Sequence, residues 1–187
     1  MTLAAPSHAH VAHNRPAMNT VGLWFFFFSE TFLFAALLAA RFYLAGTDRP
    51  EELDQQLGLA ITSILLLSSA TAYTAEVAIS RGYRGWCAIF VLLTIVLGVI
   101  FFGGVVVEWS TAEFSRNEPY GTAFFAMTGL HASHVASGVV ILGLLLLHLA
   151  RGRFSAEHHW GVEATIKYWH FVDVVWVFFY PALYLVG

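Results

Sequence analysis

Three stretches of the chain, 55–75, 85–107 and 119–150, contain no Asp, Glu, Lys or Arg. A helix needs about 20 apolar residues to cross a hydrocarbon core roughly 30 Å thick. Each stretch is therefore long enough for one membrane-spanning helix, and the third is too short for two. Helices suit this role because each satisfies its own backbone hydrogen bonds in lipid. A membrane barrel would instead show alternating segments of about ten residues. Composition agrees: 58% of the 187 residues are hydrophobic and only 11% are charged, against about 25% charged in a soluble domain. Too little polar surface remains for a water-soluble enzyme, a nucleic-acid binder or a disordered regulator, and a net charge of −3 offers nucleic acid no basic footprint. The single cysteine, Cys87, excludes an intrachain disulfide and any Cys-pair metal motif.

Two further spans carry polar residues. One starts near Val21 and contains Glu30; the other reaches Val186 and carries His170 and Asp173. The expected fold is all-α, a polytopic membrane protein of five transmembrane helices at about 21–45, 57–79, 85–107, 120–150 and 164–186. These form a single domain over 21–187, preceded by a loose cytoplasmic arm over 1–20 that lacks the pattern of a signal peptide. The connections, 46–56, 80–84, 108–120 and 151–163, leave no room for an extramembrane domain. Arg15, Arg81, Arg84, Arg151, Arg153 and Lys167 fall on one side, and Arg41, Arg49 and Arg116 on the other among most of the carboxylates. The positive-inside rule then puts the N-terminus in the cytoplasm and the C-terminus outside. His8, His10 and His13 of the arm form at most a weak metal site.

Polar side chains at membrane depth are costly, so each is a functional candidate. Glu30 lies near mid-membrane, too deep to snorkel, and reads either as a proton-handling or lipid-contacting carboxyl or as a packing hydrogen bond. Glu76 sits close enough to a helix end to reach headgroups. His131 and His134 share one face of the fourth helix, as His170 and Asp173 do on the fifth. From spacing alone these four permit metal or axial haem ligation, although the carboxylates of a di-iron bundle are missing; interhelical hydrogen bonding is the plainer reading. His148, Arg151 and Arg153, followed by His158 and His159, suit an anionic lipid headgroup or simply set topology.

Other patterns read as packing. Gly129, Ser133 and Ser137 make a small-residue stripe that admits another helix closely. Trp169, Asp173, Trp176, Tyr180 and Tyr184 lie on one face, which meets either a partner protein or a helix of the same chain. Trp24, Trp86, Trp109 and Trp160 fall near span ends as an aromatic belt. No nucleophile–base pair, P-loop or dinucleotide fingerprint appears, so the chain contains no self-contained catalytic site.

Three segments carry a resemblance. GVEATIKYWHFVDVVW over 161–176, GLHASH over 129–134 followed by Gly138, and SETFLF over 29–34 resemble, in that order, the motifs of subunit III of the haem–copper terminal oxidases, in its short five-helix bacterial form. The resemblance implies an accessory, non-redox subunit of a proton-pumping oxidase of aerobic respiration in the bacterial inner membrane. It would carry no cofactor of its own, haem and copper residing in partner subunits I and II. It would pack mainly against subunit I, hold phospholipid in a cleft, and support turnover and proton uptake. On the same resemblance Glu30 matches the embedded family glutamate and His134 the second histidine of its helix. Glu30, His134, His148, Arg151, Arg153 and His158 would meet lipid, while Glu76, His131, His170 and Asp173 remain embedded polar groups. His148 stands where some relatives have an arginine, which would make lipid affinity pH-dependent.

Cytochrome c is the implied electron donor to the complex, not to this chain. A quinol oxidase and a nitric oxide reductase with a homologous subunit stay open. More distant classes are a proton-coupled carrier using Glu30, His134, His170 and Asp173, and a membrane haem protein. Paired halves and mid-membrane helix breaks, frequent in carriers, are absent from the sequence.

Overall fold

The computed structural model describes residues 15–51 and 53–186. His8, His10 and His13 lie outside the described residues, as does most of the expected arm. Five helices follow one another: α1 (Arg15–Ala45), α2 (Gln55–Ser80), α3 (Arg84–Thr111), α4 (Pro119–Ala150) and α5 (Trp160–Tyr180), the last continuing into a short π-helical turn over Pro181–Leu185. Helix starts are set locally. Asp54 caps α2 by accepting from the backbone N–H groups of Gln56 and Leu57, both at 2.9 Å. Pro119 occupies the first turn of α4, where its missing N–H costs nothing. Gly46, Gly82 and Gly152 take positive φ just past the ends of α1, α2 and α4 and so let the chain reverse.

Several boundaries move from their expected places. α1 begins at Arg15 rather than near residue 21, and α3 continues through Glu108 to Thr111, so the connection expected over 108–120 shrinks to 112–118. α5 starts at Trp160, inside the connection expected over 151–163, and the chain stays helical through Pro181 in a wider turn.

α1, α2, α3 and α4 are long and apolar enough to cross a membrane. α5 falls short because Glu163, Lys167, His170 and Asp173 dilute its apolar character. With the π-helical turn that follows it, it nevertheless reaches from one end of the bundle to the other. Trp160 Nε1 at its start donates to Thr20 Oγ1 of α1 (3.2 Å), whereas beyond its far end Leu183 O accepts from Tyr120 OH of α4 (2.8 Å). α5 packs against α1, α2 and α4, which buries Asp173 and leaves Glu163, Lys167 and His170 half-buried.

Hydrogen bonds sort the connections into two ends. At one, Arg84 reaches Gly152 O (3.3 Å), joining the α2–α3 and α4–α5 turns near the Thr20–Trp160 contact. At the other, Arg49 Nη1 and Gln55 Nε2 both donate to Tyr184 O at 3.0 Å. The basic residues Arg81, Arg84, Arg151 and Arg153 thus share one end, and Arg41, Arg49 and Arg116 the opposite one.

The core is a seam of regular spacing. The buried residues of α3 are Cys87, Val91, Thr94, Gly98, Phe101, Val105 and Glu108, alternating four and three apart as left-handed helix packing requires. Trp169 of α5 inserts between α3 and α4 over Gly98 and Gly138, where an added Cβ would meet its ring at 2.5 and 2.9 Å. The stripe from Trp169 to Tyr184 therefore meets the chain's own helices. Trp169 Nε1 donates to Ser68 Oγ and Trp176 Nε1 to Thr62 Oγ1 of α2, each at 2.9 Å. The small-residue stripe of α4 does not receive one helix. Gly129 faces Trp109, Ser133 bonds its own helix, and Ser137 meets Tyr168 of α5 at 2.7 Å.

Candidate functional site

The embedded polar residues gather into three places. In the first, Glu30 of α1 meets His134 of α4, Oε2 to Nε2 at 3.2 Å, with side chains 19% and 14% exposed. His134 Nδ1 lies 2.9 Å from Leu130 O of the preceding turn. A carbonyl only accepts, so Nδ1 carries a hydrogen. Nε2 is left facing the Glu30 carboxyl, and the pair links α1 to α4. Phe34 closes edge-on over the imidazole at 4.8 Å, and Tyr168 OH reaches His134 O at 3.3 Å.

His131, one turn earlier, is fully buried and serves packing: Nε2 donates to Val172 O of α5 (3.1 Å) beneath Trp176, with ring centroids 4.6 Å apart. The two histidines of α4 thus face different neighbours, His134 towards α1 and His131 towards α5. Among the described residues no three His, Cys, Asp or Glu side chains come together as a metal-holding set.

The second place is the α2–α5 seam. Ser69 Oγ lies 2.7 Å from His170 Nδ1. Asp173, one turn on, is 3% exposed and neither carboxylate oxygen has a hydrogen-bond partner. Towards the α2–α3 turn the seam becomes charged. Lys167 Nζ donates to Glu163 Oε2 (2.9 Å), His159 Nε2 lies 3.2 Å from Glu163 Oε1, and Glu76 of α2 faces Lys167, Glu163 and His159. Glu76 is half-buried within this group.

The third place, at the opposite end, was not legible as a site. Glu108, expected as the first residue of a connection, is instead a buried residue of α3, both oxygens held by Tyr184 OH at 2.8 and 2.7 Å. Arg41, expected at a helix end, is fully buried. It donates to Gly46 O (3.0 Å) and Asp48 O (2.9 Å) and stacks over Tyr120 at 4.8 Å. Together these groups fasten the π-helical turn.

The six residues expected to meet lipid do not form one site. His148 to His134 is fourteen residues of α4, roughly 21 Å of helix. His148 donates Nδ1–H to Leu144 O (2.9 Å), while Arg151, Arg153 and His158 are exposed in the α4–α5 turn. A separate groove runs between α1 and α5. A cavity of about 780 Å³ lined by Trp24, Phe25, Phe28, Lys167 and His170 continues, through the shared Thr31, Phe171 and Val174, into one of about 180 Å³ reaching Leu38 and Phe179.

The three motifs touch one another in this arrangement: the α1 motif meets the α4 motif through Glu30–His134, and the α4 motif meets the α5 motif through His131 and Val172. Residues 4–187 match the family model described as Cytochrome c oxidase subunit III. The chain belongs to the cytochrome c oxidase subunit III family. It is 35% identical over 185 residues to the cytochrome c oxidase subunit 3 of Thermostichus vulcanus, covering 93% of this chain and 90% of that protein. The subunit 3 of Coturnix japonica is 35% identical over 191 residues, covering 94% and 73%, and that of Scyliorhinus canicula 36% over 179 residues, covering 89% and 69%. The expected family is thereby met, and so is the expected all-helical membrane fold. Membership in the subunit III family makes the chain a multi-pass membrane component of an oxidoreductase complex, with other oxidase subunits as its partners.

Proposed function

We propose that this subunit III is the accessory, non-redox component of a proton-pumping cytochrome c oxidase in a bacterial inner membrane, with its N-terminus cytoplasmic. The observation that carries this reading is the family match over residues 4–187, which includes all three motifs. Haem and copper belong to partner subunits I and II, and cytochrome c delivers electrons to the complex. This chain packs against subunit I, holds phospholipid and sustains turnover and proton uptake there.

The α1–α5 groove supports the lipid part. It is long, apolar and open along its side, and Lys167 stands towards the end that carries Arg151, Arg153 and His158. Acyl chains lie along Phe25, Phe28 and Phe171, and the anionic headgroup meets the basic side chains at that end. Glu30–His134 borders the same helix α1 and fixes it to α4.

The test is purification of the tagged chain from its native membrane in mild detergent, with a reduced-minus-oxidised spectrum and an oxygen-uptake assay. Recovery with a larger haem-bearing subunit that oxidises reduced cytochrome c is expected. Oxidation of quinol only, or reduction of nitric oxide, would move the chain to a related complex. Recovery alone and without pigment would overturn the reading, as would pigment that stays on the isolated chain. For lipid, a Lys167→Gln, Phe171→Ala variant should retain less phospholipid per complex by mass spectrometry; unchanged retention would remove the groove from the proposal.

A further inference from the structure

The α2–α5 seam holds a group that neither packing nor the proposed lipid site uses. Asp173 is buried, and neither of its oxygens has a hydrogen-bond partner. A buried carboxyl without a cation or a donor is tolerated as the neutral acid. Its polar neighbour is Ser69 of α2, whose hydroxyl is unusual within that helix. Thr62, Ser63, Ser68, Thr71, Thr74 and Ser80 all donate back to carbonyls of α2, the ordinary way a helix absorbs such groups. Ser69 instead engages His170 Nδ1 at 2.7 Å. His170 in turn lines the 780 Å³ cavity. Beyond it the polar row continues along the same side of α5 through Lys167, Glu163 and His159, with Glu76 of α2 facing it. The remaining deep acid nearby, Glu30 of α1, is committed to His134 of α4.

We propose that Ser69, His170 and Asp173 form a proton-exchange site, in which Asp173 stores one proton and trades it with water along the Lys167–Glu163 row through the Ser69 hydroxyl and the His170 imidazole. The exchange starts with a rotation of the Asp173 side chain onto Ser69 Oγ. The carboxyl O–H bond then breaks as a new O–H bond forms at Ser69, while the original Ser69 O–H bond breaks as an N–H bond forms at His170 Nδ1. Carboxylate and imidazolium result. The imidazolium gives its Nε2 proton to water at the Lys167 end of the row, so one proton has left Asp173, and the reverse sequence refills it. No electron changes hands. This site goes beyond the accessory-subunit reading and does not depend on which donor the complex uses.

Infrared difference spectroscopy of the purified complex tests it. Wild type minus Asp173→Asn should contain a protonated-carboxyl C=O band that shifts in heavy water. Ser69→Ala should slow that shift by roughly 10²-fold, the scale of losing one positioned proton-transfer group, and Ser69→Thr, which keeps the hydroxyl, should restore it. Absence of the band, or equal exchange in Ser69→Ala and wild type, would overturn the proposal. If Asp173→Asn does not assemble, Ser69→Ala against Ser69→Thr decides alone: a carboxyl band whose exchange follows the hydroxyl supports the relay, and none doing so overturns it. The identity of the complex is read independently from its haem spectrum, so failure of one reading leaves the other intact.

Discussion

His134 has both ring nitrogens committed, Nδ1 to Leu130 O and Nε2 to Glu30. Glu30→Gln keeps a donor opposite Nε2 and should leave thermal stability nearly unchanged. Glu30→Ala strands the imidazole in a half-buried site and should cost about 1–3 kcal/mol, measured as a lower unfolding midpoint of the purified complex. Equal midpoints for the two variants would mean that the pair does not hold α1 to α4. A parallel argument applies to Glu108, whose oxygens both accept from Tyr184 OH. Tyr184→Phe leaves a buried acid without a donor, at about 1–3 kcal/mol, and frees the last turn. Limited proteolysis should clip the C-terminal end of Tyr184→Phe faster than that of Glu108→Gln, which retains a hydrogen-bonding partner for the phenol.

Helices in this protein are told apart by how much of each is covered. Among its described side chains α1 buries a single narrow line, Phe27, Phe34 and Arg41, spaced seven apart, while Trp24, Phe25, Phe28 and Phe32 are each more than 60% exposed. α3 buries an unbroken row of seven-residue repeats, and its glycines separate accordingly. At Gly98 an added methyl would meet the ring of Trp169 at 2.5 Å; at Gly103 nothing lies within 4 Å. Gly98→Ala should therefore force α3 away from α5 at about 1–3 kcal/mol. Gly103→Ala should be neutral or stabilise through helix propensity. Comparing the unfolding midpoints of these two variants checks the packing directly, and a reversed order would refute it.

At the scale of the whole molecule, the two ends of the bundle differ in charge, and their sidedness can be read chemically. Cys87 is fully buried, so it gives a silent background for thiol labelling. Arg153→Cys and Glu51→Cys sit in exposed connections at opposite ends. With an impermeant maleimide on right-side-out vesicles, Glu51→Cys should label at once and Arg153→Cys only after the vesicles are opened. The opposite pattern would invert the proposed orientation.

The apolar runs by themselves determined that the chain lies in a membrane and, with the two spans that carry Glu30 and Asp173, that it makes five helices, because lipid tolerates only closed backbone hydrogen bonding; the helix ends at Thr111 and Trp160 were decided by the fold. The motifs named the family for a similar reason: they are contiguous in sequence. What the chain order could not carry is which polar groups meet. Glu30 and His134 stand 104 positions apart, and Ser69 and His170 101, so only the packing of α1 on α4 and of α2 on α5 decides those pairs. In the chain order Glu108 and Arg41 each look like the charged end of an apolar run. Their signal was present in the spacing, since Glu108 continues the α3 row after Phe101 and Val105, and Arg41 continues Phe27 and Phe34. Hydropathy sees the charge and stops there. The tertiary structure supplies Tyr184, Tyr120 and the Gly46 and Asp48 carbonyls, and those partners are what let a charged side chain stay inside.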